Sequence, residues 1–146
     1  MTASCTLRAA RPHDALSIAR HRYFRGEPQD DIDNYAAWLA PRIERGSYVG
    51  FVGEAAGQVV AGAGAVLLDW GPTRGEATGL RARVANVFTE PAWRRQGLSR
   101  ALVGQVMAQC DARGIRVFNL AASDEAEPMY RSFGFEPYLG EMILRR

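Results

Sequence analysis

Thr89-Glu90-Pro91-Ala92-Trp93-Arg94-Arg95-Gln96-Gly97-Leu98-Ser99-Arg100-Ala101-Leu102 joins the end of an extended segment to the start of an amphipathic helix. Upstream, Arg81 to Thr89 has the β-branched and aromatic content of a strand. Downstream, Leu98, Leu102, Val103, Val106, Met107 and Cys110 recur at helical spacing on one face, and Gly114 after Arg113 supplies a stop. A helix start leaves main-chain N–H groups unpaired and carries partial positive charge. Arginines flank this one, and Gly97 lets an anion approach the amides closely, so Arg94, Arg95, Gln96, Gly97, Leu98, Ser99 and Arg100 read as a cradle for a pyrophosphate. The plainer alternative is an ordinary helix start with solvated arginines.

Outward from that junction, the chain alternates strand-like and helical segments. Thr6 to Ala10 reads as a first strand and Pro12-His13-Asp14 as the start of a helix reaching about Tyr23, closed by Gly26-Glu27-Pro28. Ile32, Tyr35, Ala36, Leu39 and Ile43 predict a second helix starting after Asp30 or Asp31 and ending before Gly46, kinked or divided at Pro41. Ser47 to Glu54 and Gln58 to Trp70 are strand-like runs joined by Ala55-Ala56-Gly57, an antiparallel hairpin. A turn-rich loop, Gly71 to Gly79, precedes the strand and the long helix. Ile115 to Ala121 then predicts a strand parallel to the one before that helix, and Glu125 to Phe133 a short helix. Gly134 to Arg146 supplies two closing strands about Gly140. The expectation is one α/β domain, a mixed twisted sheet of about six to seven strands with about four helices.

Composition narrows the chemistry. A chain of 146 residues suits a single domain with a full core. All 18 basic residues are Arg, which excludes a Lys Schiff base and the phosphate-binding Lys of a P-loop. The net charge of +2 is small and the arginines are scattered, so nucleic acid is not an expected partner. Cys5 and Cys110 are far apart and suggest no disulfide framework. Residues 1–30 lack the apolar run of a signal peptide and no segment is long enough to span a bilayer, so a cytoplasmic location without membrane attachment is expected.

Arg94-x-x-Gly97-x-Ser99, preceded by Val87-Phe88-Thr89-x-Pro91 and followed by Tyr130-Arg131-Ser132-Phe133-Gly134-Phe135, resembles the acetyl-CoA motif of the GNAT superfamily of N-acetyltransferases. That family usually reads Gln/Arg-x-x-Gly-x-Gly/Ala and later Tyr-x-x-x-Gly-Phe. The match runs from about Val84 to Phe135, and Ser99 stands where Gly or Ala is preferred, a small-for-small change. The resemblance implies a single GNAT-like domain whose acetyl-CoA-binding core spans about residues 82–135, with acetyl-CoA as cosubstrate and no metal. It implies that the strand before the cradle splays from its neighbour, freeing main-chain groups of Val87, Phe88 and Thr89 for pantetheine and the acetyl oxygen. Tyr130 corresponds to the Tyr that protonates the departing thiolate. Ser123 falls where the family often has a coenzyme-touching Asn, and Asn119 is a second candidate; capping of the following helix is the alternative for both. The resemblance also makes a homodimer through the closing strands an expected arrangement.

No spacing selects a general base among Glu27, Glu76, Glu90, Glu141, His21 and Asp69, and Asn86 is open to two readings, orienting an acceptor or occupying a strand bulge. Gly62-Ala63-Gly64 lacks the third Gly of a dinucleotide fingerprint and runs into a strand, so it marks close packing. His13 and His21 with two distant cysteines give no metal-ligand spacing, and there is no Gly-x-Ser-x-Gly elbow. Two functions follow: acetyl transfer from acetyl-CoA to a primary amine by direct attack in a ternary complex, or a non-catalytic acyl-CoA-sensing or protein-interaction module. For the enzyme, a polyamine, an aminoglycoside-like amine, an amino acid or a peptide amine is the acceptor, walled by Tyr23, Phe24, Arg25, Glu27 and Trp38, with Trp70 and Tyr138 in reach; the bland reading puts these aromatics in the core.

Overall fold

Small and apolar residues alternating through the central hairpin set the scaffold. In the computed structural model, which describes residues 4–138 and 140–146, five strands lie side by side in chain order: β1 (Thr6–Ala9), β2 (Tyr48–Ala55), β3 (Gln58–Asp69), β4 (Leu80–Thr89) and β5 (Phe118–Asn119). The first four pair antiparallel and β5 joins β4 in parallel. Ala56 and Gly57, both at positive φ, make the tight β2–β3 turn that the hairpin needs. Four helices, α1 (Ala15–Arg22), α2 (Gln29–Arg45), α3 (Leu98–Ala112) and α4 (Glu127–Ser132), complete a mixed α/β domain.

The sheet separates two cores. On one face Val49, Ala61, Ala63, Ala65 and Ala82 meet Leu102, Val103, Val106 and Cys110 of α3, and Tyr130 of α4. Alanines on the strands let α3 sit close, and burying each of its larger apolar side chains contributes about 1.5–3 kcal/mol. On the other face Tyr48 and Val52 meet Ala15, Ile18 and Leu39 of α1 and α2. Gly64 makes that second face possible: a Cβ there would lie 1.9 Å from the Tyr48 hydroxyl, so the small residues of β3 house a tyrosine ring.

Several expectations need correction. Pro41 does not divide the second helix into two; α2 is continuous through it, starting at Gln29, with the Arg42 guanidinium donating to Trp38 O at 2.8 Å. Pro12–Asp14 forms a 3₁₀ turn ahead of α1, and α4 starts at Glu127, two residues later than expected. The strand expected over Ile115 to Ala121 shrinks to Phe118–Asn119, because β4 and β5 pair only at Ala82–Phe118 and Arg83–Asn119 before parting. The sheet therefore has five strands instead of six or seven. Residues 134–138 and 140–146 form no strand: Gly134 and Gly140 take φ of 98° and 107°, and Pro137 lacks the N–H a ladder requires. Leu139, within the expected closing strands, lies outside the described residues.

Candidate active site

The chain reaches α3 through a bend that only a few backbone conformations allow. Pro91–Trp93 makes a 3₁₀ turn, Arg94 is extended, Arg95 takes a left-handed φ of 64° and Gly97 one of 76°. A non-Gly residue in that region costs roughly 1–2 kcal/mol. Such strain concentrates at functional loops, where alternating backbone conformations turn successive amides toward one point. The first main-chain bond of α3 runs from Ala101 N to Gly97 O. Among the described residues, the amides of Gln96 to Arg100 meet no main-chain acceptor. A Cβ on Gly97 would meet nothing within 4 Å, so the space over the amides is open.

A cavity of about 260 Å³ opens over this loop, lined by Thr89, Arg94, Arg95, Gly97, Leu98, Ser99 and Arg100 together with Trp93 and Met129. Gln96 is exposed and does not line it. The Ser99 hydroxyl lies 2.8 Å from that of Thr89, pinning the helix start to the end of β4, a contact Gly or Ala would not make. Arg94 Nε donates to Thr89 O at 3.0 Å and its guanidinium stands 5.8 Å from the Phe88 ring centre. Arg100 donates to the Ser132 hydroxyl at 2.7 Å, tying α3 to α4.

Beyond Arg83 and Asn119 the two parallel strands separate, so β4 from Val84 onward, Val87, Phe88 and Thr89 included, has no strand partner on its β5 side among the described residues. A groove of about 640 Å³ lies at this opening, bounded by Arg83 of β4, Asn119 of β5 and Tyr130 of α4. Tyr130 is buried, its ring edge-on to Phe135 at 5.8 Å, and burial raises its phenol above the ordinary value. Asn119 Oδ1 is buried without a hydrogen-bond partner. Ser123 does not line the groove; its hydroxyl accepts from Ala126 N at 3.2 Å in the turn before α4.

The remaining candidates scatter. Glu76 is engaged by the Thr78 hydroxyl and by the Thr78 and Gly79 amides, which hold its carboxyl below the ordinary range, a turn-forming arrangement. Glu27 is exposed in the α1–α2 link, Asp69 ends β3, and Glu141 borders the groove. His21 and Glu90, 69 residues apart, come together at 3.2 Å, with the imidazole 4.8 Å from the Phe88 ring. Phe24 also packs on Phe88, at 5.0 Å, while Tyr23 meets Tyr35 edge-on and Trp38 lies tilted against it. Trp70 and Tyr138 are exposed.

Asn86 sits in the β4 bulge with a left-handed φ of 58°, and its side chain bonds three partners: it accepts from Arg22 at 2.9 Å and donates to the hydroxyls of Tyr35 at 2.8 Å and Tyr48 at 3.1 Å. Bulge and hydrogen bonding thus coincide at one residue. Arg22, Tyr35, Tyr48, Arg81 and Arg83 went unremarked as site residues in the sequence. The signal for the last two was present in the charged–apolar alternation Arg81-Ala82-Arg83-Val84.

Against known proteins, the model of the acetyltransferase (GNAT) domain matches residues 29–144. No curated protein sequence is significantly similar to the chain. Among solved structures, a GCN5-related N-acetyltransferase from Ralstonia eutropha superposes with a TM-score of 0.84 at 28% identity, over 97% of this chain and 99% of that one. A Clostridium acetobutylicum protein described as a predicted acetyltransferase, solved with acetyl-CoA, gives 0.86 at 23% identity, over 97% and 96%. Glucosamine-6-phosphate N-acetyltransferase from Arabidopsis thaliana shares the fold at 0.69 and 16% identity, over 97% and 98%.

Proposed function

From the chain's membership of the GNAT acetyltransferase family, which makes it an acyltransferase, we propose that it transfers acetyl from acetyl-CoA to a primary amine by direct attack in a ternary complex. The observation that carries the reading is the amide-lined loop at the start of α3, open above Gly97 and adjoining the stretch where β4 and β5 part. Unpaired amides, a helix N-terminus and three arginines fit a diphosphate. Arg94 to Arg100 would hold that group, and the free edge of Val87, Phe88 and Thr89 would take the pantetheine arm. Asn119, with its unpartnered buried Oδ1, and Ser123 remain candidates for the same ligand.

The coenzyme supplies a thioester that an amine can attack. The amine nitrogen bonds to the carbonyl carbon and gives up a proton to solvent water, the carbon–sulfur bond breaks, and a proton is needed on the departing sulfur. Tyr130 is the acid for that step. Its burial keeps the phenol protonated at neutral pH, where the role requires the proton in place. Main-chain N–H groups on the unpaired edge of β4 would steady the developing oxyanion.

Two wider expectations belong to the same proposal. A homodimer is supported by the apolar Met142, Ile143 and Leu144, 98%, 73% and 76% exposed on the segment after Gly140. A cytoplasmic location is supported by the two free cysteines, Cys5 and Cys110.

Calorimetric titration with acetyl-CoA tests the cradle. The wild type should bind, and Gly97→Glu, which puts bulk and negative charge over the amides, should weaken binding at least tenfold. Gly97→Asn, which tolerates the left-handed backbone, controls for strain. A wild type that ignores acetyl-CoA, or a Gly97→Glu protein that binds it unchanged, would overturn the reading.

A further inference from the structure

We infer that the acceptor amine carries an anionic group, a carboxylate or a phosphate, received by the guanidinium of Arg83; this rests on the acetyltransferase reading above and narrows its substrate class. Arg83 pairs across the sheet with Val66, a residue packed in the α1–α2 core, whereas its neighbour Ala82 pairs with Leu67 on the α3 face. Directly opposed residues share a face, so Arg83 belongs to the α1–α2 side, away from the coenzyme cradle at the start of α3. In the other direction it pairs with Asn119, at the last position before β4 and β5 separate. That register fixes where the side chain leaves the strand; its long arm borders the groove of Tyr130 at the sheet edge, where Met107 and Phe118 of the α3-side core form the apolar wall. A ligand seated against Arg83 therefore faces the opening through which an acetyl group would arrive.

Among the described residues, Arg83 has no direct ionic partner, although the groove carries carboxylates as well as arginines. The other cations of the groove are differently placed: Arg81 stacks on Trp70 at 4.4 Å, Arg131 pairs with Glu127 at 2.7 Å, and Arg116 is exposed at the rim. Arg83 is half-buried and, among the described residues, has neither an ion pair nor a hydrogen bond. Glu136 and Glu141 border the groove from the exposed C-terminal segment and, among the described residues, pair with none of these arginines. Partial removal of a guanidinium from water without a partner is unfavourable, and a planar fork of donors matches a carboxylate or phosphate through two parallel hydrogen bonds. A polyamine or an aminoglycoside, cationic at neutral pH, would meet Arg83 as a like charge, with the nearest free carboxylates, Glu136 and Glu141, out on the exposed C-terminal segment. Of the acceptors open in the sequence, the amino acid fits this wall, and an amine phosphate joins it.

Thiol release from acetyl-CoA, followed with matched acceptors, tests the inference. A set of amino acids is run beside their amides, phosphoethanolamine beside ethanolamine, and spermidine as the cation. Wild type should favour the anionic member of the carboxylate pairs, the phosphate pair or both by about tenfold or more in kcat/KM, the magnitude of one charge-assisted contact. Which pair responds identifies the anion. Arg83→Gln should abolish the preference through KM while leaving acetyl-CoA affinity and melting temperature unchanged; Arg83→Lys should restore part of it, and Arg83→Glu should shift it toward spermidine. A wild type that prefers amides, ethanolamine or spermidine, or an Arg83→Gln enzyme that keeps the anionic preference, overturns the inference. If acetyl-CoA binds but no pair turns over, calorimetry of the anionic members against protein loaded with coenzyme A decides, and absence of binding there overturns the inference with the cradle intact. Failure of acetyl-CoA itself to bind sinks the acetyltransferase reading first.

Discussion

Tyr130 is held by packing alone. Its ring is wedged against Phe135 and the α3 core, and among the described residues no protein group hydrogen-bonds its hydroxyl. A phenol fixed this way can turn its proton toward a ligand without first breaking a bond to the protein. Tyr130→Phe should therefore lower kcat by about a hundredfold with little change in acetyl-CoA affinity. In the wild type kcat should fall as the pH rises past the raised phenol value, and the variant should lack that alkaline limb. Equal turnover in the two proteins would remove the acid role. The residues that the sequence exposes most readily are those whose role depends on neighbours along the chain: Gly97, with its left-handed backbone, and Ser99, two positions further on. Tyr48, Asn86 and Arg83 draw their environment from strand register. The separation of 38 positions between Tyr48 and Asn86 gives no hint that their side chains touch.

At the scale of elements, α3 and the β2–β3 hairpin are legible because each satisfies local rules: one apolar stripe at period 3.6, and one Gly-containing turn between two extended runs. Strand β5 is not, because its length depends on where its partner turns away, and α2 crosses Pro41 because its other contacts outlast one missing hydrogen bond. The entry to α1 shows how a local turn is fastened to the sheet. Asp14, 2% exposed, accepts two hydrogen bonds from Arg8 of β1, at 2.8 and 2.9 Å, and one from Arg11 N at 2.7 Å. Burial works against its ionisation, but the Arg8 and Arg11 contacts win and hold the carboxyl below its ordinary value. A folded-state pKa below the unfolded one gives stability that is complete above about pH 4 and lost as the pH falls through the folded value. Asp14→Asn should cost about 2 kcal/mol in urea unfolding at pH 7, with the gap to wild type narrowing under acid. A gap that stays constant down to the acid transition would show that the contacts are not acting through the charge.

For the whole molecule, the family and the mixed α/β plan were legible from one motif and the alternation of segments. The number of strands was not, since Gly134, Pro137 and Gly140 interrupt what apolar content alone suggested. The apolar segment they leave outside the sheet bears on assembly. Sedimentation should report a dimer, and Ile143→Asp, which places a charge on that segment, should yield monomers with unchanged melting temperature. A wild type that sediments as a monomer at every concentration tested would remove the pairing. The separation of β4 from β5 has a consequence of its own. Elsewhere the backbone is a closed partition between the two cores, but past Arg83 and Asn119 it becomes a doorway with one lobby on each side. On the proposed reaction, reactants entering from opposite lobbies would not queue behind one another, and the partition by itself would impose no obligatory order of arrival or departure.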